Sequence, residues 1–277
     1  MPPPTLTVER IDDPEDPRLA DYRDLRDHLF RLRRGLFIAE SRTIVRRLLE
    51  GRRFRTRSIL LTQPALDALC DVLDTNGAGA TLYVSHHEII KAVAGFDFHR
   101  GCLAVAERGV EPSVEALIAS AGTRLLLVLE DVSNPDNVGG VFRNAMAFGA
   151  DGVLLSSGCA DPLYRKAIRV SVGGTLSMPF AHLTDWTGGL GRLRDAGYTL
   201  LALTPDPAAL DLEELGHKRP LPARIAFLLG SEGQGLAPAT KAAADLEVRI
   251  AMAPGADSLN VATASGIALH RLRALRT

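Results

Sequence analysis

Between Arg124 and Gly149 the chain reads RLLLVLEDVSNPDNVGGVFRNAMAFG. Its first seven residues, Arg124–Glu130, are almost continuously apolar, the mark of a strand buried on both faces. A polar turn follows (Ser133, Asn134, Pro135, Asp136, Asn137). From there Val138, Val141, Phe142, Ala145 and Gly149 recur at helical spacing, with Arg143 on the opposite side. The alternation continues downstream. Strands are expected at Gly152–Ser156, Tyr198–Thr204, Arg224–Gly230 and Glu247–Met252, with helices between them and a last helix from Asn260 to about Leu275. Apolar strands separated by helices give an α/β fold with a parallel sheet covered on both faces.

Working outward toward the start, a smaller α/β unit precedes this one. Strands are expected at Arg57–Thr62, Thr81–Ser85 and Gly101–Ala106. Helices are expected at Tyr22–Arg33, at Ala39–Glu50, after Gln63-Pro64, and at His86–Val93. The proline-rich first twenty residues, with acids at Asp12, Asp13, Glu15 and Asp16, read as an extended or loosely ordered arm. Glu111–Gly122 reads as a connecting helix. The expected division is therefore an arm (1–20), a small domain (21–110), a linker helix (111–122) and a larger domain (123–277).

The 277 residues are 46% apolar and 23% charged, which suits a globular chain with a substantial core. No apolar run approaches the roughly 18 residues of a membrane span, and the first residues have no secretory pattern. Cys70, Cys102 and Cys159 have no metal-like spacing, and their odd number fits a reducing cytoplasm. The scattered histidines suggest no metal site. The net charge of −1 hides an asymmetry. Between Tyr22 and Arg57 twelve arginines face four acids, a net +8 that leaves −9 for the rest. An all-arginine block suits a polyanion, since guanidinium binds phosphate through two N–H groups and stacks on bases; it equally fits a solvated helix face with local ion pairs.

The informative residues follow three strands, where open α/β sheets bind ligands. The first loop places Asn137, Gly139 and Gly140 at a helix start, where a ligand or another backbone can come close. The second, FLLGSEGQGL (Phe227–Leu236), sets Gly230, Gly233 and Gly235 around Ser231 and Glu232; it matches neither GxGxxG nor a P-loop. The third, IAMAPGADSLNVA (Ile250–Ala262), runs through a Pro-Gly turn to Ser258-Leu259-Asn260, where Ser258 or Asn260 suits a helix N-cap. Read singly, each loop also fits an ordinary capped turn.

Together the three resemble the motifs of the SpoU (TrmH-type) branch of the SPOUT RNA methyltransferases. NxGxxxRxA is matched by Asn137-Val138-Gly139 through Arg143-Asn144-Ala145. GSExxGL is matched at Gly230–Leu236, and the SLN core at Ser258–Asn260 after Ile250 and Met252. RVSVG (Arg169–Gly173) resembles a further family segment. The small domain resembles, more loosely, the L30e-like domain of many members; where those members often have glycine, this chain has Ser41.

The resemblance implies a parallel-sheet catalytic domain with a C-terminal trefoil knot, S-adenosyl-L-methionine as cofactor, and methyl transfer to a ribose 2′-hydroxyl. By motif position Gly230, Ile250, Met252 and Leu259 are expected at the cofactor, with Thr204 beside them. Arg143 is the family's catalytic position. A guanidinium holds its proton far above neutral pH, so Arg143 is assigned to the phosphate beside the target ribose and to charge developing on the 2′-oxygen. Asn137, Glu232, Ser258 and Asn260 are expected to orient it and the ribose, with Glu232 also a candidate proton acceptor. The general base stays open. The resemblance further implies RNA as partner and a homodimer to which the last helix contributes unless it packs within its own chain; the separate N-terminal domain puts rRNA ahead of tRNA, with the arginine-rich 22–57 region as the expected contact. The rival readings are a non-catalytic RNA-binding or ribosome-assembly protein and, disfavoured by the missing GxGxxG, a nicotinamide oxidoreductase.

Overall fold

The computed structural model describes residues 7–23, 32, 34–77, 79–95, 101–120, 122, 124–217 and 220–276. They form two compact units, Met1–Val110 with Leu163–Ser177, and Glu111–Pro162 with Met178–Thr277.

The first unit is built on strands β1 (Thr7–Arg10), β2 (Leu36–Glu40), β3 (Thr56–Leu61), β4 (Thr81–Val84) and β5 (Cys102–Glu107), in the order β1-β4-β3-β5-β2. β1, β4 and β3 run parallel; β5 and then β2 are added antiparallel. Helices α1 (Arg42–Gly51), α2 (Gln63–Asn76) and α3 (His87–Ala94) each bury one apolar face, for α1 the row Ile44, Val45, Leu48 and Leu49. Two expectations are corrected here. Of the arm expected at 1–20, residues 7–20 are packed into the unit rather than loosely ordered, with the extended part as a strand. β1 pairs with β4, and Ile11, Leu19 and Tyr22 are buried, with the Tyr22 hydroxyl 2.7 Å from Ser58 Oγ. These three apolar anchors hold an otherwise polar segment. A short 3-10 helix, Pro17–Tyr22, is capped by Asp16, whose carboxyl the Arg18 guanidinium holds down to about 2. The second correction concerns Ala39–Glu50. Ala39 and Glu40 end β2, and α1 begins only at Arg42, after a turn at Ser41 with φ 91°. The helix expected at Tyr22–Arg33 lies almost wholly outside the described residues.

The chain enters the second unit through α4 (Val114–Ala119), capped by Ser113. β6 (Leu125–Leu129) is buried throughout. α5 (Pro135–Phe148) starts with the Asn134 side chain accepting from Asp136 N, and ends at left-handed Gly149. β7 (Gly152–Ser156) follows. The chain then rejoins the first unit as α6 (Arg165–Val170) and α7 (Gly174–Ser177). There Arg165 donates to Glu40 at 2.9 Å, with the Glu40 side chain 7% exposed, and Arg47 donates to the Val172 carbonyl at 2.5 Å.

Back in the second unit come β8 (Phe180–Leu183), α8 (Trp186–Asp195), β9 (Thr199–Leu203), β10 (Leu210–Asp211), β11 (Ile225–Leu229), α9 (Pro238–Ala243), β12 (Leu246–Arg249) and α10 (Val261–Arg276). All seven strands are parallel, in the order β10-β12-β9-β11-β6-β7-β8. β8 and β10 are additions to the expected strands. β12 stops at Arg249, so Ile250 and Met252, expected at a strand end, stand in the loop beyond it. Among the described residues no helix is long and apolar enough to cross a membrane.

Candidate active site

The strand order of the second unit reverses between β6 and β11, and the chemistry-bearing loops leave from that end of the sheet, as expected for an open α/β fold. A cavity of about 770 Å³ opens there. Thr204, just past β9, Gly230 and Glu232 past β11, Ile250 and Met252 past β12, and Ser258 and Leu259 before α10 all line it. Leu203, Leu229 and Leu236 add apolar wall, and Lys241 is the one cation among the described lining residues, against Asp206, Glu232 and Asp257. Greasy walls with a few backbone partners suit a flat heterocycle carrying polar ends.

Gly230 explains the glycines. A methyl at its Cα would collide with the Gly235 carbonyl and the Leu236 nitrogen, so the loop folds back over a position that only glycine can occupy. Gly235 completes the turn at φ 66°, its N–H donating to the Ser231 carbonyl at 3.0 Å. The far end of the loop is tied to Glu130. This buried carboxylate accepts from Ala237 N at 2.9 Å and from Thr240 Oγ1 at 2.7 Å, and Thr240 in turn accepts from the Trp186 indole. Glu130 was not among the expected site residues. Its only signal is a lone acid closing an apolar strand.

The first and third loops meet through side chains. Asn260 Nδ2 donates to Asn137 Oδ1 at 2.9 Å, and Asn260 Oδ1 caps α10 by accepting from Ala262 N and Thr263 N. Asn137 is buried, and Asn260 stands between the lining residues Leu259 and Val261. The structure therefore brings Asn137 and Asn260 together at the cavity rim. Arg143 is not in the lining. It is exposed on α5, with no side-chain partner among the described residues. Gly140 faces protein rather than cavity, because a Cβ there would lie 2.6 Å from Ala262 Cβ of α10. Cys159 donates to the Leu129 carbonyl, and burial pushes its thiol up, away from nucleophilic character.

A profile of the SpoU rRNA methylase family matches residues 124–270. The chain belongs to this family. It is 42% identical over 276 residues to a tRNA/rRNA methyltransferase of Mycobacterium tuberculosis, itself uncharacterised, covering 97% of this chain and 92% of that protein. It is 32% identical over 194 residues to the 23S rRNA (guanosine-2′-O-)-methyltransferase RlmB of Ralstonia nicotianae, covering 69% of this chain and 76% of that one. Among solved structures, an RNA 2′-O ribose methyltransferase superposes with a TM-score of 0.77 at 26% identity, covering 97% and 99% of the two chains. An AdoMet-bound rRNA methyltransferase from Sinorhizobium meliloti gives 0.80 at 23% identity over 96% and 98%, a likeness of fold. This SpoU family member carries all three motifs on the loops just described.

The arginine-rich stretch lies in the first unit. Arg34 and Arg57 pair with Asp21, Arg46 with Asp71, and Arg55 with Glu107, while Arg52 bonds Asn76. Arg23 donates to the Pro14 carbonyl, and Arg53 lies over the Phe54 ring. Arg26, Arg31 and Arg33 lie outside the described residues.

Proposed function

We propose that this protein transfers a methyl group from S-adenosyl-L-methionine to a ribose 2′-hydroxyl of RNA, ribosomal RNA ahead of tRNA. The observation that carries the reading is the convergence of the loops after β9, β11 and β12 on one cavity, to which the Asn137–Asn260 bond ties the first motif. The RlmB relative, named for guanosine 2′-O-methylation of 23S rRNA, supports both the ribose and the ribosomal choice.

The cavity fits the cofactor. Gly230 gives the loop backbone room to form a cradle, Ile250, Met252 and Leu259 supply apolar wall for the adenine, and Thr204 closes one side. Lys241 suits the methionine carboxylate. When bound, S-adenosyl-L-methionine supplies a sulfonium-activated methyl group. The protein's task is to bring a weak nucleophile into line and to manage its proton. Arg143, exposed and without a partner among the described residues, is assigned to the phosphate beside the target ribose and to charge developing on the 2′-oxygen. Asn137 and Asn260 fix the start of its helix. Glu232 and Ser258 face the cavity and orient the ribose, with Glu232, the one carboxylate among these motif residues, the candidate to receive the proton. We assign the small unit to RNA presentation as an L30e-like domain, the C-terminal segment to the family's trefoil knot, and the working form to a homodimer.

The test is transfer of labelled methyl from S-adenosyl-L-methionine into RNA from a strain lacking this gene, followed by digestion to nucleosides. Label in a 2′-O-methylated nucleoside of the ribosomal fraction is expected. Arg143→Ala should lower turnover about 10²-fold to 10³-fold while leaving cofactor affinity within about twofold. The absence of both methyl transfer and cofactor binding would favour a non-catalytic RNA-binding role.

A further inference from the structure

A second cavity, of about 570 Å³, opens in the first unit at the C-terminal ends of the parallel strands β1, β3 and β4. Arg10, Asp12, Arg42, Gln63, His87 and Glu88 stand in its lining. Nothing in the methyl-transfer reading uses it.

Its two arginines differ from their neighbours. Of the arginines between residues 22 and 57 with described side chains, Arg42 alone makes no hydrogen bond, ion pair or ring contact with the described residues, and Arg10 makes none either. The acids Asp12 and Glu88 line the same cavity without pairing to them. Two cations held apart from available carboxylates in one concavity are poised for an anion from outside. The backbone adds to this. α1, α2 and α3 all begin at this end, and none has a side-chain cap, whereas α4, α5 and α8 of the other unit are capped by Ser113, Asn134 and Asp185. Their first N–H groups supply further positive potential around the arginines.

The volume lies within the usual range for small-molecule sites, roughly 300–1,000 Å³, and exceeds what a lone phosphate needs. Gly101 also lines the cleft at φ 67°, where a Cβ would lie 3.2 Å from Thr62 Oγ1. An amide and two carboxylates in the same lining are acceptors for the exocyclic amino group of a base.

We infer that this cleft binds one nucleotide of a single-stranded RNA segment, its phosphate on Arg10 and Arg42 and an amino-bearing base toward Gln63, Asp12 and Glu88. This rests on the reading of RNA as substrate and narrows the arginine-rich surface to one place.

The experiment uses the full chain and a fluorescein-labelled oligocytidylate, with affinity read by anisotropy across a salt series. The Arg10→Gln/Arg42→Gln double variant should bind at least about tenfold more weakly, and the slope of log affinity against log salt should shrink by about 0.7, the value for one phosphate. Arg55→Gln, an ion-paired neighbour, should change neither. Stabilisation by S-adenosyl-L-methionine should be equal in all three, which reports intact folding. Unchanged affinity and slope in the double variant would overturn the cleft, as would a wild-type protein that methylates RNA yet ignores oligocytidylate. The opposite pattern, no methyl transfer but variant-sensitive RNA binding, would leave the cleft standing and remove the enzymatic reading.

Discussion

Ser41 sits at φ 91° and ψ 149°, a region that a residue with a Cβ occupies at a cost of about 1–3 kcal/mol. The corner is needed because the chain turns there from β2 straight into α1. Ser41→Gly should therefore stabilise the protein by about 1 kcal/mol, after allowing for the extra freedom glycine gains when unfolded. Urea unfolding should show a raised midpoint with an unchanged slope, and a lowered midpoint would contradict the assignment of strain. The sequence hinted at this position only through the family's habit of placing glycine there. Arg143 was more legible, since helical periodicity alone puts it opposite the core stripe, and it is exposed. The Asn137–Asn260 bond was not legible, because it joins residues 123 positions apart that no spacing rule connects.

At the scale of elements, α5 and α10 pack through small residues. Gly140 meets Ala262, and the Asn144 amide donates to the Ala262 carbonyl at 2.6 Å and to Ser265 Oγ at 3.0 Å. The glycine pair at the start of α5 thus serves at Gly140 the approach of another helix, one of the two purposes such a pair suggests. Gly140→Ala would put a methyl 2.6 Å from Ala262 Cβ and should cost about 1–3 kcal/mol. Its unfolding midpoint should recover when Ala262→Gly is added, and failure to recover would mean that the strain lies elsewhere. The apolar face of α10 that was open between a dimer and the chain's own core is buried in the unit at Val261, Ala264, Ala268 and Leu272, while Leu275 lies outside the residues whose side chains are described. Strands with long apolar runs, such as β6, β7, β9 and β11, were readable. β8 follows Pro179 and has only four residues, and β10 has two, too short for any period to show. β2 was absorbed into the following helix because Ser41 carries neither the glycine nor the proline that usually marks such a corner.

Across the whole molecule, the strand order could not be read from the chain. β11 inserts between β9 and β6, pairing Leu125 with Ile225 a hundred residues away. The return of Leu163–Ser177 to the first unit was equally hidden, since helical periodicity does not say which surface a helix will meet. That return makes a testable difference to how the chain comes apart. Val110, 98% exposed, stands in the link between the units. A single protease cut there should leave the two pieces eluting together on a native sizing column, separating only in denaturant. Separation without denaturant would show that the Glu40–Arg165 and Arg47–Val172 contacts do not hold the segment in place.

The same routing sets a timetable for synthesis. The small unit has all five strands once Glu107 has been made, but Glu40 waits for Arg165 and the Arg47 guanidinium waits for the Val172 carbonyl. By then the ribosome has already delivered β6, α5 and β7 of the other unit, whose central strand, β11, is still to be made. The first half cannot be finished before the second is begun, so a nascent chain stalled anywhere before Arg165 holds a buried-type carboxylate without its cation.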